Sequence, residues 1–270
     1  MESRARRSYI KGRRYNSSDL GPTFIIAGAP RSGTTWLYEL LDRHPDVYMA
    51  KPVRPEPKFF LVDELYARGM QYYLDTWFAD AGRYAASGEK STNYLENPVV
   101  AERIHLHLPS VKLVFILREP AHRAYSNWLW SRMNGMEADD FETALAREDE
   151  RERTLAPALR YARPHAYFSR GLYAQMLRPY FARFPREQIL CLNFDGIIRG
   201  PGELAARLHR FIGVTPRPDD AAGLDVVNPS EKRDEQMPYE TLARLRERYA
   251  EAQNALVALV GPEFATWDEA

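Results

Sequence analysis

Residues 23–43, TFIIAGAPRSGTTWLYELLDR, constrain this chain more than any other stretch. An apolar, β-prone run, Phe24-Ile25-Ile26-Ala27, passes into a loop bounded by Gly28 and Gly33. Beyond the loop, Thr34 and Thr35 lead into a helix whose Trp36, Leu37, Leu40 and Leu41 recur on one stripe. Strand, Gly-rich loop and helix N-terminus in that order form an anion cradle. The loop's free backbone N–H groups and the positive end of the helix dipole converge on one point. The glycine spacing is that of a Walker A loop, yet Thr34 stands in the lysine's place. The loop's cation is Arg31, two residues before the second glycine, a position suited to a different group from the γ-phosphate of a nucleoside triphosphate. The alternative is an ordinary βα turn that binds nothing. Arg31 followed by Ser32-Gly33-Thr34-Thr35, between a clear strand and a clear helix, weighs against it.

The 270 residues suffice for one α/β domain with its own core. Lys+Arg and Asp+Glu both total 37, so no bulk charge draws the chain to nucleic acid or to a membrane, and any anion site is local. The one cysteine, Cys191, cannot form an intrachain disulfide and sits in an apolar strand, Ile189-Leu190-Cys191-Leu192, which favours a reducing, cytoplasmic setting. No apolar run approaches the roughly 18 residues of a membrane span, and no signal peptide is seen. Residues 1–20, with Arg4, Arg6, Arg7, Lys11, Arg13 and Arg14, read as a flexible basic arm. Residues 21–262 read as the domain and 263–270 as a tail.

Along the chain, residues 51–60 hold three prolines that force an extended loop, with Glu56 among Lys51, Arg54 and Lys58. Glu56 is either a general base near the cradle or a solvated residue in loose ion pairs. Residues 63–80 read as one amphipathic helix with Leu65, Met70, Tyr73, Leu74 and Trp77 on its apolar side. Lys90 follows a strand end, where open α/β sheets place ligands. Residues 111–117 form the strongest buried strand and end at Arg118, with Ser126 two turns into the following helix. A guanidinium fork and a hydroxyl so placed could bracket one phosphate, or Arg118 could pair with a carboxylate and Ser126 fill the helix. Residues 135–165 are highly charged and read as a solvated surface excursion, with a cover over an acceptor cleft as the other reading. Further elements are expected over 98–108, 188–193, 203–212 and 238–260.

The segment P-R-S-G-T-T-W-L, residues 30–37, resembles the 5′-phosphosulfate loop of sulfotransferases that use 3′-phosphoadenosine-5′-phosphosulfate (PAPS), with Arg31 where many members carry Lys. E-P-K-F-F resembles the segment that supplies the catalytic Glu in the heparan-type branch, matched at Glu56, Phe59 and Phe60. G-E-K-S-T-N-Y-L is similar to that branch's E-K-[ST]-x-x-Y-F segment, which places Lys90 at the sulfuryl centre or acceptor side. L-R-E-P-A-H-R-A-Y-S-N-W is similar to the family's 3′-phosphate motif, matched at Arg118 and Ser126. Tyr173 is similar in position to a family Tyr near the nucleotide. Lys232 and Arg233 are the nearest candidates for a late basic loop over the 3′-phosphate, although the usual K-G-R pattern is absent.

The resemblance implies a single α/β domain of bacterial type, a P-loop-like sulfotransferase fold with a central, mainly parallel sheet flanked by helices. The reaction implied is sulfuryl transfer from PAPS to a hydroxyl of a small-molecule or carbohydrate acceptor, leaving adenosine 3′,5′-bisphosphate and needing no metal. Glu56, Arg31 and Lys90 are then the catalytic residues. Arg31, Ser32, Gly33, Thr34, Thr35, Trp36, Arg118, Ser126, Tyr173, Lys232 and Arg233 hold the nucleotide. The cytosolic phenol and steroid branch uses a His base, and none of the six His residues stands in a segment that matches it. Two rivals remain: a P-loop kinase, which the missing Walker lysine opposes, and a non-catalytic nucleotide-binding module.

Overall fold

In a computed structural model, the described residues are 21–225 and 236–267, with the backbone of two short antiparallel strands, β1 (Ser8–Ile10) and β2 (Arg13–Tyr15). The main sheet has five parallel strands: β3 (Phe24–Gly28), β4 (Val47–Met49), β5 (Ala86–Lys90), β6 (Lys112–Leu117) and β7 (Ile189–Asn193), in the order β4-β5-β3-β6-β7. The helices are α1 (Thr34–Asp42), α2 (Asp63–Tyr66), α3 (Gly69–Trp77), α4 (Pro98–His107), α5 (Pro120–Met133), α6 (Phe141–Ala146), α7 (Glu148–Arg153), α8 (Tyr173–Phe181), α9 (Asp195–Arg199), α10 (Pro201–Ile212) and α11 (Tyr239–Val260).

The continuous apolar runs follow from burial of both sheet faces. On β6, Leu113, Phe115 and Leu117 face a core closed by α3, α4, α8 and α11. Val114 and Ile116 face the opposite core, closed by α1, α9 and α10. A third cluster joins α5 and α6 to α11 through Trp128, Phe141 and Tyr249. Phe264, beyond α11, is also fully buried. No described helix is long and apolar enough to cross a membrane.

Within the main sheet the path begins at the central strand β3, moves out to β4 and returns through β5. It then crosses to β6 and β7 on the other side. The order reverses between β3 and β6, so a crevice opens at their C-terminal ends, where doubly wound sheets bind ligands.

Two expectations are corrected. The helix expected over 63–80 is two helices, α2 and α3, because Gly69 takes a φ of +81° that only glycine adopts without strain. The 135–165 stretch is more than a solvated excursion. Glu137 and Glu148 are buried, and the Glu148 carboxylate accepts the backbone N–H groups of Phe168 (2.6 Å) and Ser169 (2.9 Å).

Cys191 on β7 is buried, and desolvation pushes its thiol up to about 12. The native protein is therefore expected to resist a maleimide for hours and to label fully once unfolded in guanidinium. Rapid native labelling would contradict this burial.

Candidate active site

The cradle is shaped by two left-handed residues, Arg31 (φ 65°) and Gly33 (φ 89°), which turn successive backbone N–H groups toward one side. Gly33 is the N-cap of α1 and brings no side-chain cap, leaving the first N–H groups of the helix for a ligand. A Cβ at Gly33 would lie 2.6 Å from Ile197 Cδ1 and 3.1 Å from Phe194 Cδ2, so space as well as φ demands glycine. Ser32 and Thr34 are buried beside it and Thr35 is half-buried. The loop is tied to the next strand by Ala29 N–H, which donates to the Ile116 carbonyl at 2.9 Å.

Arg118 stands at the end of β6 with its guanidinium 4.7 Å from the centre of the Phe194 ring. Ser126 is buried on α5. The sequence reading assigns Arg31 and Ser126 to opposite ends of one ligand; the structure brings them together. Arg31 donates to Ser126 Oγ from Nε (3.4 Å) and Nη2 (3.3 Å).

Tyr173 is buried and donates its hydroxyl to the Arg118 carbonyl at 2.8 Å, which braces the strand end; burial raises its pKa. Trp36 lies in the α1–α10 core, and its Nε1–H donates to the Leu224 carbonyl at 3.4 Å. Lys232 and Arg233 lie outside the described residues.

Glu56 and Lys90 meet. Lys90 ends β5, in register with Ile26 of β3, and is buried. It donates to Glu56 Oε1 at 2.5 Å. Glu56 Oε2 accepts the Thr92 N–H at 3.1 Å, and the Thr92 hydroxyl lies 3.2 Å away. The carboxylate is thus held by three donors and is not a solvated loop residue. Behind it, Phe59 stacks on Tyr73 at 4.6 Å between ring centres, anchoring the end of the proline loop.

Sequence reasoning missed Glu89. It is fully buried and accepts hydroxyls from Tyr73 (2.6 Å), Tyr94 (3.1 Å) and Ser91 (2.7 Å). Desolvation pushes its carboxyl up to about 7 although those three hydrogen bonds pull the other way. Strand alternation carried a signal: with Lys90 facing one side of the sheet, Glu89 must face the other, into a core.

A cleft of about 430 Å³ adjoins these segments. Leu61, five residues past Glu56, and Asn93, three past Lys90, form one side of it. Arg160, Tyr161 and Arg163, from the charged stretch, form another. Its charges answer one another: Arg160 pairs with Glu64 (3.0 Å), Arg163 with Glu152 (2.6 Å) and Glu96 (3.2 Å), and Arg103 with Asp63 (2.6 Å).

At the far end of α1, His44, His209 and Asp220 each offer a ligand atom within 4.8 Å of one another, a grouping that residue spacing did not reveal. Both His44 nitrogens already serve the backbone: Nε2 is 2.9 Å from the Thr215 carbonyl, and Nδ1 accepts the Asp46 N–H at 3.1 Å. The Asp220 carboxylate holds Arg217. These bonds clasp the helix end to the 213–220 turn.

A family model described as sulfotransferase domain matches residues 21–248. Over 221 residues the chain is 29% identical to the bifunctional heparan sulfate N-deacetylase/N-sulfotransferase of Drosophila melanogaster, covering 72% of this chain and 20% of that protein. Over 193 residues it is 28% identical to heparan sulfate glucosamine 3-O-sulfotransferase 3B1 of Mus musculus, covering 72% of this chain and 46% of that one. The chain thus spans less than half the length of these curated relatives. Among solved structures, a sulfotransferase from Alicyclobacillus acidocaldarius aligns with a TM-score of 0.73 at 28% identity, covering 89% of this chain and 96% of its own. A mouse sulfotransferase complexed with PAP shares the fold, with a TM-score of 0.56 at 14% identity over 96% of this chain and 98% of its own.

Proposed function

This chain belongs to the sulfotransferase domain family, and on that premise we propose that it moves the sulfuryl group of PAPS to a hydroxyl of a sugar or small molecule. One observation carries the reading. Three neighbouring strands, β5, β3 and β6, end at the same sheet edge and lead in turn to Lys90 with Glu56, to the Arg31 loop, whose guanidinium meets Ser126 of α5, and to Arg118.

The chemistry follows from those groups. The acceptor oxygen attacks sulfur and forms an O–S bond. The bond from sulfur to the 5′-phosphate oxygen breaks, and its electron pair leaves with adenosine 3′,5′-bisphosphate. The acceptor proton passes to Glu56. Negative charge grows on the leaving phosphate, where Arg31, the loop N–H groups and the α1 dipole meet it. Lys90, released in part from Glu56, neutralises the sulfuryl oxygens. By analogy with phosphoryl transfer through a loose transition state, positioning and electrostatics supply most of the rate. Arg118 and Ser126 select the donor by its 3′-phosphate, so ATP fits poorly.

We place the acceptor toward the cleft beside Leu61 and Asn93, on the segments that follow Glu56 and Lys90. Its paired charges and its amide and phenol groups suit an uncharged, polar acceptor such as a sugar hydroxyl better than a polyanion.

Two measurements test the reading. Adenosine 3′,5′-bisphosphate at a hundredfold excess over its Kd should stabilise the fold by about 2.7 kcal/mol, a shift of several degrees in Tm, whereas ATP–Mg should not. Labelled PAPS offered with a panel of neutral and acidic glycosides should label a neutral one. Stabilisation by ATP–Mg alone would return the kinase reading.

A further inference from the structure

Glu89 touches neither the donor cradle nor the Lys90 ammonium, yet its partners lead to the catalytic loop. Its Oε2 accepts the Ser91 hydroxyl, whose oxygen in turn accepts the Lys58 backbone N–H at 2.9 Å. Its Oε1 accepts the Tyr94 hydroxyl, whose oxygen accepts the Phe60 N–H at 3.2 Å. A third hydroxyl, from Tyr73, also donates to Oε1. Lys58 and Phe60 are two and four residues past Glu56, on the same loop.

The polarity of these chains is decisive. In its ionised form Glu89 is an acceptor only, so it turns every hydroxyl around it into a donor. A Ser or Tyr hydroxyl that donates inward presents its lone pairs outward, where the two backbone N–H groups arrive. An amide or a protonated acid at position 89 would donate a proton itself, so at least one hydroxyl would lose the acceptor for its own proton. Buried networks of this kind are rigid when every member is satisfied and loose when one is not.

We infer that Glu89 is a positioning residue for sulfuryl transfer, fixing through Ser91 and Tyr94 the backbone of the loop that carries Glu56. The inference rests on the reading of Glu56 as the general base. It assigns β5 a double role: Lys90 points into the reaction and Glu89 points away from it, holding the base in place from behind.

The test is a double-mutant cycle on kcat, with donor affinity followed alongside by titration of adenosine 3′,5′-bisphosphate. Glu89→Gln keeps the shape and reverses one donor. It should lower kcat by about ten- to a hundredfold, because a displacement near 1 Å at a reacting group has effects of that order, and should leave the bisphosphate Kd unchanged. In a Glu56→Gln background, the same substitution should cost no further activity, since the group it positions is already disabled. Equal losses in both backgrounds, an unchanged kcat, or a matching loss of bisphosphate affinity would each overturn the inference. If Glu56→Gln alone keeps full activity, it is the base assignment that fails, a separate outcome. Should Glu89→Gln not fold, Ser91→Ala carries the same cycle: it leaves the carboxylate in place and removes one link to Lys58. A kcat loss confined to the Glu56 background is again expected, and additivity again overturns.

Discussion

Glu56→Gln is expected to lower kcat by about 10²- to 10⁴-fold, the range of a general base, while adenosine 3′,5′-bisphosphate still binds with near-native affinity. The substitution is nearly isosteric. The amide oxygen can keep the bond from Lys90 or the one from Thr92 N–H but not both, since the two reach different carboxylate oxygens, so the loop keeps part of its bonds. What it loses is the ability to take a proton. The donor site is built by other elements, the β3–α1 loop and the end of β6, so affinity for the bisphosphate should not follow activity. This separation distinguishes an enzyme from a binding module: a module would lose nothing measurable, because it has no turnover to lose. A protein that kept full kcat would remove Glu56 from the mechanism. One that lost bisphosphate binding in proportion would show the change to be structural, for instance by leaving the buried Lys90 ammonium poorly paired.

The parts of the fold legible in the sequence are those fixed locally or by burial on two sides. Residues 24–42 announce themselves because a strand, a glycine loop and a helix stripe each carry their own pattern. β6 is legible because five consecutive residues, 113–117, face one core or the other. The break at Gly69 was not legible, since a glycine in a helical pattern signals only a propensity cost and not the sign of its φ. The charged stretch misleads for a related reason. A buried Glu that accepts two backbone N–H groups, as Glu148 does, looks in sequence like any solvated Glu. Glu56 and Lys90 are 34 residues apart, and Arg31 and Ser126 are 95 apart. Local patterns contain no term for such pairings. A family resemblance assigned Glu56 and Lys90 to one site; their ion pair, like the contact between Arg31 and Ser126, appeared only in three dimensions.

That contact leads to the other large effect. Arg31→Ala is expected to lower kcat by about 10²- to 10³-fold, the range seen when one stabiliser of a developing oxyanion is removed. Ala is the informative replacement because it keeps a Cβ at a φ of 65°; glycine would relax the loop and confound the result. Ser126→Ala should behave differently. Its hydroxyl is assigned to the 3′-phosphate, which carries the same charge before and after transfer, so the loss should fall on donor affinity. A hydrogen bond to a charged group is worth about 1.5–3 kcal/mol, or roughly ten- to a hundredfold in Kd. Without donor, Arg31 donates to Ser126 Oγ. If they bind opposite ends of one nucleotide, that bond must break as the donor enters, and its strength is subtracted from donor affinity. Ser126→Ala then loses a phosphate contact but also removes the bond that holds Arg31 to it, and the two effects partly offset. In the Arg31→Ala background the offset is gone, so Ser126→Ala should weaken donor binding more than it does in the wild type. Strict additivity would mean that the two residues do not compete before the donor binds. A Ser126→Ala variant with lowered kcat and unchanged donor affinity would place its hydroxyl at the reacting phosphate, together with Arg31, and would reassign the 3′-phosphate to other groups.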